Sequence, residues 1–267
     1  MKYSDRAPLR PVRVARTDAL TPRMRRITLA GDALEGFATA AAGDHVTLFF
    51  PHPDGRGWHE PPAIGPDGHP VMPGGQAPIG RDYTPRRFDP ATRELTIDFV
   101  LHGDGPASRW AARARPGQWL CVGLCVGGRR PGGVGSGRVP DDYAAYLLIG
   151  DETALPSIAR YLEDMPPGVP VQALIEIADA REERRLPTAS DAAITWLHRD
   201  GTPAGLSTRL DQALRHLTLP STDIHAWIGA ERDVARRLEA YLRTEEAIPR
   251  HQIRAAGYWR RGIPAGG

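Results

Sequence analysis

The sequence predicts a β-rich N-terminal half, built as a small antiparallel barrel or sandwich, followed by an α/β half on a parallel sheet. Residues 11–16, 25–29, 45–50, 95–101 and 118–122 are short apolar alternations interrupted by Gly, Pro and Asp, the pattern of short strands joined by turns. From residue 144 onward, apolar runs alternate with segments of helical period, which implies strands covered by helices. Between them lies GGRRPGGVGSGRVPDD, residues 127–142, with the composition of a flexible linker. The expected domains are residues 1–127 and 143–267, joined by a linker over 128–142.

The 267 residues exceed the usual single-domain length and leave ample chain for a core without staples. Apolar residues at 41% and charged residues at 25% are those of an ordinary globular protein. With 34 basic against 32 acidic side chains the formal charge is +2, which excludes nucleic-acid binding by bulk attraction. The N-terminus, MKYSDRAPLRPVRVARTDAL, lacks the apolar run of a signal peptide, and no stretch approaches the roughly 18 apolar residues of a membrane span. A cytoplasmic monomer without membrane insertion is expected. Cys121 and Cys125 lack the second ligand pair of a zinc site and read as buried free thiols, so no metal ligands are expected.

Residues 51–80 contain HPDGRGWHEPPAIGPDGHPVMPGGQAPI, so rich in Pro and Gly that a long surface loop without ladder or helix is expected. Its His52, His59 and His69 could approach a substrate, although variable loops usually solvate. Arg81-Asp82-Tyr83-Thr84-Pro85-Arg86 follows. On an extended chain Arg81 and Tyr83 share one face and Thr84 takes the other. A guanidinium can fork onto phosphate and a Tyr ring can stack on a flat heterocycle, so the pair suits a nucleotide-like flavin, with Thr84 at the ring edge. The same residues also suit a solvated surface strand.

Residues 98–112, DFVLHGDGPASRWAA, pass from a strand through a glycine turn into a helix opened by Pro106. Unpaired amides at the helix start, beside Gly105, Ala107 and Ser108, would cradle a diphosphate. The alternative is a turn that binds nothing. His102 reads as a structural hydrogen-bonding histidine rather than a proton donor. In Gly150-Asp151-Glu152-Thr153-Ala154-Leu155-Pro156 a strand ends and a helix begins without the G-x-G-x-x-G fingerprint. By spacing alone Asp151 and Glu152 read as a helix cap rather than a pyrophosphate site. Ligands on parallel sheets lie beyond the carboxyl ends of the strands, which directs attention to the loops after Gly150, Ile177 and Gly229.

These segments together resemble the siderophore-interacting protein family, flavin-dependent ferric-siderophore reductases on a ferredoxin-reductase-like plan. In chain order the resembling pieces are residues 43–51 (GDHVTLFFP), Arg81-x-Tyr83-Thr84-x-Arg86, 98–111, 150–156, 175–179 (IEIAD), 227–231 (WIGAE) and 257–262 (GYWRRG). The long 51–80 loop and the glycine-rich linker depart from the family's commoner pattern. The resemblance implies an antiparallel Greek-key barrel that binds FAD, then an NAD(P)H-binding-like α/β domain with a C-terminal tail that contacts FAD. It implies that Arg81 meets the flavin phosphate, Tyr83 stacks on the isoalloxazine and Thr84 approaches its N5 edge. Asp98 and Val100 would lead into a turn, His102 to Ser108, that encloses the diphosphate. Thr153 would lie near the nicotinamide entry, with Asp151 and Ala154 also among the cofactor-binding residues, and Tyr258 and Trp259 would close over part of FAD.

The implied reaction passes electrons from NAD(P)H, or from a ferredoxin, through FAD to a ferric siderophore by outer-sphere transfer, with no catalytic side chain. Hard oxygen donors hold ferric iron firmly and ferrous iron weakly, so reduction would itself release the metal. Glu176 and Asp179 would suit the free ribose of NADH, whereas Arg181, Arg184 or Arg185 could bind the extra phosphate of NADPH. Arg86, Arg87, Arg129, Arg130, Arg184, Arg185, Arg260 and Arg261 are cations that could attract an anionic chelate. The alternatives are a flavin reductase of the same fold with another acceptor and a non-catalytic siderophore-binding protein.

Overall fold

The computed structural model describes residues 9–39, 41–51, 63–65, 70–71, 79–103, 105–126, 143–219, 221 and 223–262, with the side chains of 70 and 124–126 left aside. The chain divides into two compact units, Met1–Gly137 and Arg138–Ala265. The expected linker over 128–142 lies outside the described residues.

The first unit comprises β1 (Arg10–Thr21), β2 (Met24–Ala30), β3 (His45–Phe50), β4 (Ala63–Ile64), β5 (Pro70–Val71), β6 (Ile79–Tyr83), β7 (Pro85–Asp89), β8 (Glu94–Val100), α1 (Pro106–Arg113) and β9 (Trp119–Val126). Seven strands form an antiparallel sheet in the order β6-β3-β9-β1-β2-β8-β7, with the non-consecutive neighbours of a Greek key. The outermost strands, β6 and β7, are separated in sequence by Thr84 alone, so the sheet curls until its two edges converge at that residue. Alternate residues of the strands supply the core, among them Val12, Val14, Ile27, Leu29, Val46, Leu48, Leu95, Ile97 and Phe99, because a period of two sends every second side chain inward.

Two features of this unit differ from expectation. Within residues 51–80, β4 and β5 pair through Ala63↔Val71 and Ile64↔Pro70, so this Pro/Gly-rich stretch does hold a short ladder. Pro70 sits at a strand start, where its missing donor costs least. Strand β7 was hidden because its PRRFD sequence opens on Pro and carries adjacent charges. Cys121 is a fully buried free thiol, and burial pushes its pKa up to about 12.

Helix α1 has only eight residues, too few to be stable alone. Ala107, Ala111 and Ala114 enter the barrel core, and Arg25 on β2 clamps the far end. Its guanidinium donates to the carbonyls of Ala111, Ala112 and Ala114 at 3.0, 2.7 and 3.1 Å and to Thr17 Oγ1 at 2.8 Å. One cation thus meets three carbonyls at the negative end of the helix dipole.

The second unit contains β10 (Ala145–Asp151), α2 (Leu155–Asp164), β11 (Pro170–Ile177), β12 (Asp191–His198), α3 (Arg209–His216), β13 (Ile224–Glu231), α4 (Arg232–Thr244) and β14 (Ile253–Trp259). The five strands are parallel in the order β12-β11-β10-β13-β14. Every residue of β10 and β13 is buried, as expected of strands covered on both faces. The chain leaves the centre toward β12 and returns to the other side at β13, which makes the β10–β13 boundary a topological switch point. A Cβ on Gly150 would lie 2.7 Å from the Gly229 carbonyl oxygen, and one on Gly229 would lie 2.5 Å from the Trp227 ring, so the strand ends approach this closely only without side chains. Strand and helix do not alternate strictly, since a single 3-10 turn, Ala180–Glu182, joins β11 to β12. The last strand, β14, places Tyr258 and Trp259 on a sheet edge.

Arg25→Ala is expected to lower the stability of the first unit by about 2 kcal/mol, the worth of charge-assisted bonds to a helix end. Hydrogen exchange should show the amides of α1 losing protection before those of β2 and β8.

Candidate functional site

In the first unit the antiparallel register sets Arg81 opposite Leu48 and Tyr83 opposite Val46, and both partners belong to the barrel core. Arg81 and Tyr83 therefore share one face, as the alternation predicts. Asp82 takes the other face, where Thr47 Oγ1 donates to its Oδ1 at 2.6 Å. The Tyr83 ring lies 4.5 Å from Phe99 and 6.0 Å from Phe50, and Trp110 of α1 joins the same cluster at 5.3 Å from Phe50 and 5.8 Å from Phe99. Burial drives the Tyr83 phenol far above its ordinary pKa, against the opposing charge of Arg81, so it stays protonated. Arg81 is half-buried, with Nη1 donating to the Gly80 carbonyl at 2.6 Å. Thr84 is buried where the sheet edges converge.

The start of α1 fits a phosphate. Its N-cap is Gly105, no side chain caps the first turn, and Pro106 opens the helix. Ala107 and Ser108 are buried there. Gly103 adopts φ +55°, and a Cβ on Gly105 would meet open space. Uncapped amides, a bare backbone and the Ser108 hydroxyl form the donor set that a flavin diphosphate requires. Asp98 is different: Arg26, directly opposite on β2, grips its buried carboxylate through Nε at 2.7 Å and a second nitrogen at 2.9 Å. Arg26 thus engages that carboxylate on the face of β8 opposite the core residues Ile97 and Phe99. Val100 is buried opposite Met24, and His102 is exposed and has an interaction partner.

In the second unit the carboxyl ends of β10, β11, β12 and β13 gather a buried polar network. Asp151 Oδ1 accepts the Thr153 amide at 2.9 Å and the Thr153 hydroxyl, while Oδ2 accepts the Glu231 amide at 3.0 Å and the Trp259 indole at 2.8 Å. Asp151 therefore caps the turn before α2. The N-cap of that helix is Ala154, without a side-chain bond, so the helix-cap reading of Asp151 is corrected by one turn. Burial and the charge of Glu152 raise the Asp151 pKa to about 6, against the hydrogen bonds of Thr153 and Trp259.

Arg199, buried after β12, forks onto Glu152 at 2.5 Å through each terminal nitrogen and lies 3.7 Å from Glu176. Burial raises the pKa of Glu176, against a Ser207 hydrogen bond and the Arg199 charge. Asp179 is gripped by Arg181 at 2.9 Å through two nitrogens. Glu231 caps α4 by accepting the amides of Asp233 and Val234, and its other oxygen accepts the Arg261 amide at 3.2 Å. Tyr258 shares a 2.7 Å hydrogen bond with Ser157 of α2 and meets Trp227 edge-on. Ala154 lies against Gly229 across the switch point. A cavity of about 500 Å³ beside α3 is bordered by Arg215, Arg237 and Arg261.

Each unit thus brings together its own predicted residues: Arg81, Tyr83 and Thr84 at the barrel seam, and Asp151, Thr153, Ala154, Tyr258 and Trp259 at the switch point. Arg129, Arg130, His52, His59 and His69 lie outside the described residues. Sequence reasoning missed Arg25, Arg26, Arg199 and Glu231. Arg199 and Glu231 carried one usable signal, the first charge after an apolar strand; the two β2 arginines carried none, since the helix carbonyls and the carboxylate that they engage lie 72 or more residues away.

A siderophore-interacting FAD-binding domain model matches residues 13–126, and a siderophore-interacting protein model matches residues 143–262. A protein of Escherichia coli named NADPH-dependent ferric-chelate reductase is 35% identical over 94% of this chain and 92% of its own. The chain belongs to the siderophore-interacting protein family. A ferric vibriobactin reductase of Vibrio cholerae is 32% identical over 91% of this chain and 86% of its own. A siderophore utilization protein from T. fusca has the same fold, with a TM-score of 0.82 and 36% identity over 98% of this chain and 97% of its own. The barrel is accordingly the FAD-binding domain of the family member, and the family resemblance drawn from its motifs holds along nearly the whole chain. Among the described residues no helix is long and apolar enough to cross a membrane.

Because the folded-state pKa of Asp151 is raised, the group favours the native state when protonated. That contribution is present below about pH 4, the unfolded value, and is lost as pH rises through about 6. Asp151→Asn should flatten this part of the stability profile, as measured by urea unfolding across the interval.

Proposed function

We propose that this chain is an FAD-dependent ferric-siderophore reductase that takes electrons from NADPH. The observation that carries the reading is the near full-length similarity to a relative named as an NADPH-dependent ferric-chelate reductase, joined to an FAD-binding family domain whose α1 terminus offers uncapped amides. Bound FAD supplies the conversion of a two-electron hydride donor into single electrons, which ferric iron requires. The amides at the start of α1, with Ser108 and Arg81, hold the flavin phosphates. Tyr83, backed by Phe50, Phe99 and Trp110, offers a flat wall for the ring system and excludes water from it. Thr84 would meet the ring edge, and Thr153 and Ala154 would border the nicotinamide entry.

Donor choice follows from charges already paired. Glu176 is engaged by Arg199 and Ser207 and Asp179 by Arg181. Among the described residues, Glu176 and Asp179 at the end of β11 are both engaged, and Arg184 and Arg185 follow Glu182 and Glu183 on the same loop, where they would meet the extra phosphate of NADPH. The chelate itself needs no protein ligand to iron, since reduction weakens the hold of hard oxygen donors on the metal.

The deciding experiment is anaerobic reduction of the FAD-loaded protein, followed by addition of catecholate, hydroxamate and carboxylate ferric chelates. Flavin bleaching by NADPH and recovery on chelate addition are expected; a protein that cannot be loaded with FAD overturns the reading. The kcat/KM for NADPH should exceed that for NADH by roughly tenfold or more, the worth of one charge-assisted contact. Arg81→Ala should weaken FAD binding about 10- to 150-fold, as loss of a charged phosphate contact implies. Fluorescence titration of the apoprotein measures this, and unchanged affinity removes Arg81 from the site.

A further inference from the structure

The carboxylate of Asp151 has no acceptor position to spare. Its two oxygens take four donors, from Thr153 twice, from Glu231 and from Trp259, which fills the lone-pair sites of an ionised carboxylate. It therefore cannot also meet a ligand, although it sits at the carboxyl end of the central strand, where ligands of such sheets bind. Its bonds run to the ends of two further strands, β13 and β14. That reach matters most for Trp259. Strand β14 is an edge strand with a single neighbour, and the ladder shifts register between Ala230 and Glu231, just before Glu231 meets Trp259. The indole is thus held least by its own ladder and most by a residue two strands away.

We propose that Asp151 is a positioning residue: it fixes the half-exposed Trp259 ring and the segment after it against the switch point, and so sets one wall of the nucleotide site. Two further contacts support the same placement. Glu231 accepts the Arg261 amide, so a second strand-end carboxylate pins the backbone where Asp151 pins the ring. Gly205, at φ +75°, brings the loop after β12 so close that a Cβ there would lie 3.1 Å from the ring. The bond requires an ionised acceptor for full strength, because a protonated carboxyl gives up acceptor capacity. The charged groups around Asp151 are Glu152 on the following turn, Glu176 on β11, Arg199 after β12, and Glu231 with Arg261 on the β13 and β14 side. Glu152 opposes its ionisation, while Arg199 is forked onto Glu152 rather than onto Asp151.

The test uses the full chain labelled with ¹⁵N-tryptophan, with Trp259→Phe identifying the indole resonance. In the native protein that resonance should shift with pH, with a midpoint near about 6. In Asp151→Asn it should move and lose the titration. A resonance unchanged by Asp151→Asn overturns the proposal. The kinetic arm rests on the proposed NADPH-dependent reduction. Asp151→Asn and Trp259→Phe, which keeps an aromatic side chain but removes the pyrrole ring with its N–H, should each raise the KM for NADPH about 5- to 30-fold with kcat within about twofold, and the double variant should be no worse than either single one. Additive losses, or a fall in kcat at constant KM, overturn the positioning role. If native protein shows no reduction by nicotinamide nucleotides, the proposed function fails, and the indole resonance still decides whether Asp151 holds Trp259.

Discussion

A buried carboxylate at the end of the central strand holds the functional edge of the α/β unit together. Parallel strands bring their carboxyl ends to one edge, and at a switch point the neighbouring loops diverge and leave a crevice. Asp151 spans that crevice by accepting from Glu231 on β13 and Trp259 on β14. Gly150 and Gly229 permit the approach, since any side chain at either position would collide with the other strand or with Trp227. The cost is a carboxylate buried beside Glu152, which is tolerated because its hydrogen bonds are complete.

The barrel solves a different problem, the aiming of a short helix. Eight residues cannot hold a direction alone, so α1 is held along its length by Ala107, Ala111 and Ala114 in the core and at its C-terminal end by the Arg25 clamp. Its first turn is consequently presented without a side-chain cap, the state in which backbone amides can serve an anion. Trp110 ties the same helix to the ring cluster that backs Tyr83, so the start of α1 and Tyr83 share one hydrophobic support.

Charge at the strand ends is arranged by pairing rather than by excess. Arg199 neutralises Glu152 and approaches Glu176, and Arg181 closes on Asp179. In a nearly balanced chain, +2 overall, these local carboxylates are thus paired off at the strand ends. Such pairs are invisible in composition, because Glu152 and Arg199 lie 47 positions apart.

Periodicity by itself determined the two halves, most of their strands, the Pro106 helix start and the shared face of Arg81 and Tyr83, because alternation and turn residues are local properties of the chain. The order of its motifs, through their resemblance to a known family, also made the family legible without knowledge of contacts. Only the tertiary structure decided that Asp98 is held by Arg26, that Asp151 grips Trp259, that β14 joins the sheet edge, and that β4 and β5 pair within the Pro-rich segment. The physical reason is common to the side-chain cases. A buried charge takes whichever partner the fold delivers, and that partner lies 72 residues away for Asp98 and 108 for Asp151, beyond the reach of any local pattern.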